Sequence, residues 1–350
     1  MKSKTLLVLF GVVALLAAVA AILLRPTGED ASRRPLGQKM LSDLPFEKIE
    51  KIRIVSSSET VTVEKKPDGW GIVEKSGYPA DFSKISELVV KLRELKIGRR
   101  FTADEPVTDR LALHPPSAVG ADPQKTATQL VLLDAEDRPL ADLLIGSARE
   151  SDRGFGGHYV MRTGQSTVLL VDRSFKYLSA APSDWLRPEV VDLDSEEIES
   201  VAYRQGGEAG EKGEKGYRIS RPAKGEAWVL DGAGKDDVVD PGKAGRVAEA
   251  LSPLMAEDVV PVDKAGVDAS FSEADRFVYT TFGGRAYTVL LGASFTRDEE
   301  SFTYARLTKM PAPGAAEEPD EFAGWIYVLP DWKAKDFTRD RANLTVADQK

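Results

Sequence analysis

The sequence predicts an α+β protein: an N-terminal transmembrane helix followed by two repeated domains, each an antiparallel sheet with one packed amphipathic helix. Three observations carry this expectation. An uncharged apolar run, Leu6–Leu24, directly follows Lys2 and Lys4. Beyond it, short segments alternate apolar and polar residues between turn residues, the period-two signature of half-buried strands. The order of these segments, with one helical pattern among them, is then retraced in the second half of the 350 residues.

The N-terminus sets the compartment. At 1.5 Å rise per residue the run Leu6–Leu24 is about 28 Å long as a helix, close to the hydrocarbon thickness of a bilayer. The two preceding lysines keep the N-terminus cytoplasmic and export everything after Arg25. A cleaved signal peptide is the competing reading, with Ala18-Val19-Ala20 as its small-residue site. Cleavage there would leave Ile22-Leu23-Leu24 exposed, which favours an uncleaved anchor in the inner membrane with the bulk of the chain periplasmic. Residues 25–40 ("RPTGEDASRRPLGQKM") lack periodicity and read as a tether with a coil-like reach of about 20 Å.

Two repeats follow, 41–187 and 190–337, with 338–350 as a tail. In the first, "DLPFEKIEKIRIV" gives a short turn and a strand, and "ETVTVEKKPDGWGIVE" gives a hairpin broken at Pro67-Asp68-Gly69. The next segment is helical. Phe82, Ile85, Leu88, Val89, Leu92 and Leu95 share one face, Asp81 can cap the start, and Gly98 can end it. "TQLVLLD" with "PLADLLIG", and "HYVMRT" with "STVLLVD" around Gly164, make two further hairpins. The second repeat answers each element. "DLDSEEIESVAYR" matches the first strand, and Trp228 falls opposite Trp70. Ala244, Val247, Ala248, Leu251 and Leu254 fall opposite Ile85, Leu88, Val89, Leu92 and Leu95. Asp240 is the N-cap and Pro241 the first helical residue, where a missing N–H is tolerated. Gly292 answers Gly146, Tyr304 answers Tyr159, and Trp332 answers Trp185. The glycine-rich stretch Gly206–Gly216 has no proline and few triplets, so it is a hydrophilic hairpin tip and not a collagen helix.

Composition excludes several classes of function. A net charge of −9, with no basic stripe, argues against nucleic acid. The absence of cysteine removes disulfides, thiol nucleophiles and thiolate metal sites. With these features assembled, the chain resembles the bacterial family of domain of unknown function 4340. The resemblance rests on the basic N-terminus and apolar run, "IEKIRI", "VTVEK", "DGWGI", the stretch from Gly77 to Gly98, and "RLALHPPS", "LLIGSARE" and "YVMR". "RLALHPPS" lacks the usual glycine of the family's Gly-Leu-x-x-Pro segment. The resemblance implies an extracytoplasmic partner of ABC-type transporters and brings no catalytic residues with it.

No residue set specifies a reaction, a cofactor or a metal. His114 and His158 are the only histidines, expected in a turn and at the opening of a strand, in loop or surface roles. Asp192, Asp194, Glu196 and Glu197 resemble a calcium loop, but its sixth position is Glu197 and its twelfth Tyr203, so capping of a short turn is the expectation. "GFGG" (Gly154–Gly157) reads as a flexible loop without the context of a phosphate-binding motif. Trp70, Trp185, Trp228 and Trp332 are expected as core fillers, with sugar stacking the alternative. The functional expectation is a non-enzymatic, membrane-anchored interaction module, an accessory subunit of an ABC-type transporter. A glycan- or ligand-binding protein is the alternative, marked by an aromatic-lined groove. An anchored hydrolase would be marked by converging Ser, His or carboxylate side chains.

Overall fold

The computed structural model describes residues 36–117, 122–151, 154–207, 216–234, 238–263, 271–316 and 318–346. The run Leu6–Leu24, most of the tether and most of the glycine-rich tip lie outside the described residues. Among the described residues no helix is long and apolar enough to cross a membrane. Strands dominate and helices are few. In chain order the strands are β1 (Lys51–Val55), β2 (Thr60–Lys66), β3 (Gly69–Ile72), β4 (Tyr78–Pro79), β5 (Ile97–Thr102), β6 (Thr128–Leu133) and β7 (Pro139–Ser151). Next come β8 (Gly154–Arg162), β9 (Thr167–Val171), β10 (Glu189–Val191), β11 (Ile198–Arg204), β12 (Gly216–Ser220) and β13 (Val229–Leu230). The last are β14 (Leu254–Met255), β15 (Asp258–Pro261), β16 (Asp275–Thr281), β17 (Ala286–Arg297), β18 (Glu300–Met310) and β19 (Trp325–Pro330). The helices are α1 (Phe82–Arg93), α2 (Glu105–Arg110), α3 (Pro241–Ala248) and α4 (Asp331–Ala334). The chain forms two units: residues 1–60 with 83–180, and residues 61–82 with 181–350.

In the first unit β1, β6, β7, β8, β9 and β5 lie side by side in that order, in antiparallel ladders. Alternation puts Ile52, Ile54, Leu130, Leu132, Leu143 and Val160 on one buried face. Helix α1 buries Ile85, Leu88 and Leu92 as the spacing predicts, whereas Phe82 is 65% exposed at its first residue. The helix does not run to Gly98. It closes at Arg93 with a tightened turn, Leu95 N–H to Leu92 O, because the fully buried Leu95 and Ile97 carry the chain into β5, which contains Gly98. A second layer lies on the other sheet face, where Leu111, Leu113, Ala127, Leu144, Met161 and Val168 cluster. It follows α2, which Asp104 caps by accepting from Val107 N–H at 3.1 Å. The chain enters along β5: Gly37 N–H donates to Ile97 O (2.6 Å), Met40 N–H to Leu95 O (2.7 Å), and Gln38 O accepts from Ile97 N–H (3.0 Å). Met40 and Leu41 are buried, so residues 37–40 belong to this unit and not to a free tether.

The second unit has the ladder β13-β12-β11-β16-β17-β18-β19-β15 and a small β10–β14 pair. Val201, Tyr203, Ile219, Phe277, Tyr279, Val289 and Leu307 make its buried face. Asp240 caps α3, accepting from Gly242 N–H (3.0 Å) and Lys243 N–H (3.1 Å), with Pro241 at the first position. Ala244, Val247 and Ala248 are buried on α3 as predicted; Leu251 and Leu254 are buried too, but beyond the helix, in a 3-10 turn (Glu249–Leu251) and in β14. The β2–β3 hairpin turns at Pro67-Asp68 as expected and packs within this unit. Lys75 Nζ lies 2.5 Å from the buried Asp258 carboxylate, and Tyr78 sets its ring edge-on to Trp325 at 5.1 Å. Burial pushes the Tyr78 hydroxyl up to about 12. The C-terminal residues are built in: Tyr217 O–H donates to Thr338 O (2.8 Å), Arg339 pairs with Asp275 (2.6 Å), and Leu344 is fully buried.

Candidate functional site

The residues that chemistry would favour turn out to hold the fold. His114 Nε2 lies 2.5 Å from Asp109 Oδ1, and Asp109 Oδ2 lies 2.6 Å from Lys125 Nζ. The Lys125 hydrogen bond, and then that of His114, keeps the Asp109 carboxyl below its usual range. This bracket ties the end of α2 to the loop before β6. His158 is not at the surface as expected. It sits inside β8, 4% exposed, with Nδ1 accepting from Phe175 N–H at 3.2 Å. Burial, and then the Lys91 charge, lowers its pKa. Strand alternation decides this, since the chain pairs through Gly154–Arg162 and no loop intervenes. The "GFGG" segment is therefore the start of a strand. At Gly157, with φ of 120°, a Cβ would meet Val171 O at 2.4 Å, so the glycine serves close packing on β9.

The acidic stretch behaves as expected of a cap. Asp194 Oδ1 accepts from Glu196 N–H at 2.9 Å at the start of the turn Ser195–Glu197. Asp192, Asp194 and Glu197 also line a cleft of about 390 Å³ with Thr281, Arg285 and Tyr287. Glu197 is paired with Lys224. Among the described residues no group of three His, Asp or Glu is placed to hold a metal. The tryptophans do not all fill cores. Trp185 is buried, Trp70 and Trp228 are half-buried, and Trp332 is 62% exposed. In the short helix α4 the inward residues are instead Lys333 and Ala334. Trp228 lies over the Arg221 guanidinium at 4.6 Å, which donates to Ile198 O and Ser195 O.

A constellation invisible in the sequence comes from strand register. Arg204 of β11 faces Arg276 of β16, Arg276 faces Leu290 of β17, and Leu290 faces Arg306 of β18. Directly opposed residues share a face, so these four form a row across four strands at about 4.8 Å per strand. The row lies on the face opposite the buried one. Arg204 and Arg276 are exposed, and Leu290 and Arg306 are half-buried. Phe271 stacks on the Arg306 guanidinium at 4.7 Å. Two residues before Arg306, Tyr304 shares the face and stacks with Phe295 (4.6 Å, 24° between planes). Arg297 lies over Phe302 at 4.8 Å.

Two arginines directly opposed on neighbouring strands repel, and such pairs weaken a sheet. Neither Arg204 nor Arg276 has an ion-pair partner among the described residues. The row presents guanidinium groups, each a planar fork of N–H donors with no acceptor. Its chemistry is planar, multidentate binding of carboxylate or phosphate, with aromatic rings beside it. No spacing rule would have found it: Arg204, Arg276 and Arg306 are distant in the chain, and only the pairing unites them.

The family model described as Domain of unknown function (DUF4340) matches residues 70–272, more than half of the chain. The chain belongs to the DUF4340 family. No curated protein and no solved structure matches it. The DUF4340 span opens at Trp70 in β3 and closes at Ser272, so it contains α1, Gly146, Tyr159 and Arg204. Arg276 and Arg306 lie beyond its end.

Proposed function

We propose that the chain is a non-enzymatic, membrane-anchored extracytoplasmic interaction module, accessory to an ABC-type transporter and built from two copies of one α+β unit. The interaction reading is carried by Arg204 opposite Arg276, a repulsive pair that an acidic partner surface would relieve. The anchor is supported by Leu6–Leu24 behind Lys2 and Lys4. The transporter as partner rests on the family resemblance alone.

Several features support the duplication. β1-β6-β7-β8-β9-β5 and β11-β16-β17-β18-β19-β15 have the same connectivity. A 3-10 turn precedes the first strand of each, at Phe46–Lys48 and Ser195–Glu197, and α1 and α3 precede β5 and β15. The ladder register slips between Ile145 and Ala148 and again between Leu291 and Ser294, at Gly146 and Gly292.

Crosslinking in native membranes tests the function. The wild type is expected to recover transporter permease or ATPase subunits, and the Arg204→Glu, Arg276→Glu variant to lose them while staying folded. The His114→Gln, His158→Gln variant is expected to complement a deletion strain. Absence of transporter subunits from every crosslink, or a folded but inactive double-histidine variant, would replace this reading by glycan binding or hydrolysis.

A further inference from the structure

The point at which the chain enters the first unit is basic, although the protein as a whole is acidic. Residues 37–40 pair with the segment at 95–97, Lys39 lying directly opposite Lys96. On its other side Lys96 exchanges two hydrogen bonds with Asp172, its N–H to Oδ1 at 2.9 Å and Asp172 N–H to its carbonyl at 3.2 Å. Arg173 follows at once. Lys91 lies 5.9 Å from the Phe175 ring, Arg93 lies over Phe46 at 5.2 Å, and Lys176 lies over Tyr177 at 5.9 Å. Six cations, Lys39, Lys91, Arg93, Lys96, Arg173 and Lys176, thus gather around three short segments. Three carboxylates accompany them: Glu94 on Lys39, Glu87 on Lys91, and Asp172. The electrostatics agree with this crowding, since Lys39 above all, and then Lys96 and Arg173, hold the Glu94 carboxyl below its usual range. Two apolar side chains at the ends of these segments are exposed, Tyr177 at 89% and Leu36 at 62%.

Chain length says what this surface meets. Eleven residues, Arg25 to Pro35, separate the apolar run from Leu36, and Arg33 and Arg34 add two cations just before it. Eleven residues span at most about 40 Å even when fully extended. The patch is therefore held within one short tether of wherever Leu6–Leu24 resides.

We propose that this basic patch docks on the anionic phospholipid surface of the membrane that holds the anchor, with Tyr177 and Leu36 at the headgroup level. The proposal rests on the anchor reading above. Lysine and arginine near an anionic bilayer are attracted within a Debye length, and tyrosine prefers the interface. Docking would fix the orientation of the first unit relative to the membrane, which the tether alone would leave free.

The full-length chain, reconstituted in nanodiscs, tests it. The protein has no cysteine, so Tyr177→Cys can carry a single environment-sensitive dye. In discs of phosphatidylcholine with about one-third phosphatidylglycerol, a nitroxide-bearing lipid is expected to quench the dye. Quenching should be lost in pure phosphatidylcholine, in high salt, and in the added Lys96→Gln, Arg173→Gln, Lys176→Gln variant. That variant removes three surface charges and should lower the docking equilibrium roughly 100-fold. Equal quenching in both lipids, or quenching untouched by the triple variant, overturns the docking proposal while leaving the anchor intact. Failure of the protein to co-elute with the discs overturns the anchor reading and the docking with it.

Discussion

Gly146→Ala probes how closely the second layer of the first unit is laid on its sheet. An added Cβ would lie 2.2 Å from Leu111 O and 2.8 Å from Leu113 Cδ2, where ordinary contact begins near 3.4 Å. The shortfall at the carbonyl exceeds 1 Å. That carbonyl is backbone and accepts the Ser147 N–H at 2.8 Å, so it cannot swing aside. Moving it sacrifices a hydrogen bond worth about 1 kcal/mol net. Repacking Leu111 and Leu113 within their cluster adds about 1–3 kcal/mol, the usual range for overpacking. The expected loss is about 2–4 kcal/mol. Tryptophan fluorescence would miss it, because Trp70, Trp185, Trp228, Trp325 and Trp332 all belong to the second unit. Hydrogen exchange of peptides from β6 to β8 in the full chain reads the first unit directly and should accelerate about 30- to 1000-fold. Gly164→Ala is the control: its φ is 77°, but nothing lies within 4 Å of the added Cβ. It should cost about 1–2 kcal/mol from the left-handed backbone alone. If Gly146→Ala proved no worse than Gly164→Ala, the close approach of Leu111 would be refuted.

Leu92→Ala and Leu251→Ala should each cost about 2–5 kcal/mol, because both side chains are fully buried. Exchange in the first unit reads the former and tryptophan fluorescence in urea the latter; a loss below 1 kcal/mol in either would show that side chain unpacked. Tyr279→Phe should be neutral or stabilise by up to about 1 kcal/mol, because the Tyr279 hydroxyl is buried without a hydrogen-bond partner among the described residues. A loss above 1 kcal/mol in the urea midpoint would reveal a partner for it. His158 is held neutral, its folded pKa lying below the ordinary 6.5. Above pH 6.5 both folded and unfolded states leave it neutral; as pH falls below that value the unfolded chain takes up the proton first, and stability declines until the folded pKa is passed. His158→Gln should remove that part of the acid slope in the exchange of β8 peptides, and an unchanged slope would assign it to other groups.

Most of the elements were legible in the sequence because they depend on local periodicity. The hairpin at Pro67-Asp68, the stripe Ala244–Ala248 with its Asp240 cap, and the turn held by Asp194 each follow from spacing and from one side chain's reach along its own backbone. The readings that failed involve partners remote in the chain. A glycine at 98 looks like a helix end until Leu95 and Ile97 are seen buried along β5. His158 looks like the mouth of a loop until the ladder is seen to run through it. Trp332 looks like the counterpart of Trp185, but burial is decided by what packs opposite, and this residue is left 62% exposed. The arginine row is the extreme case. Each of its members is an ordinary surface residue on its own strand. A shift of one residue in any pairing would turn that strand's side chains to the other face, so only the tertiary register gathers them into one row.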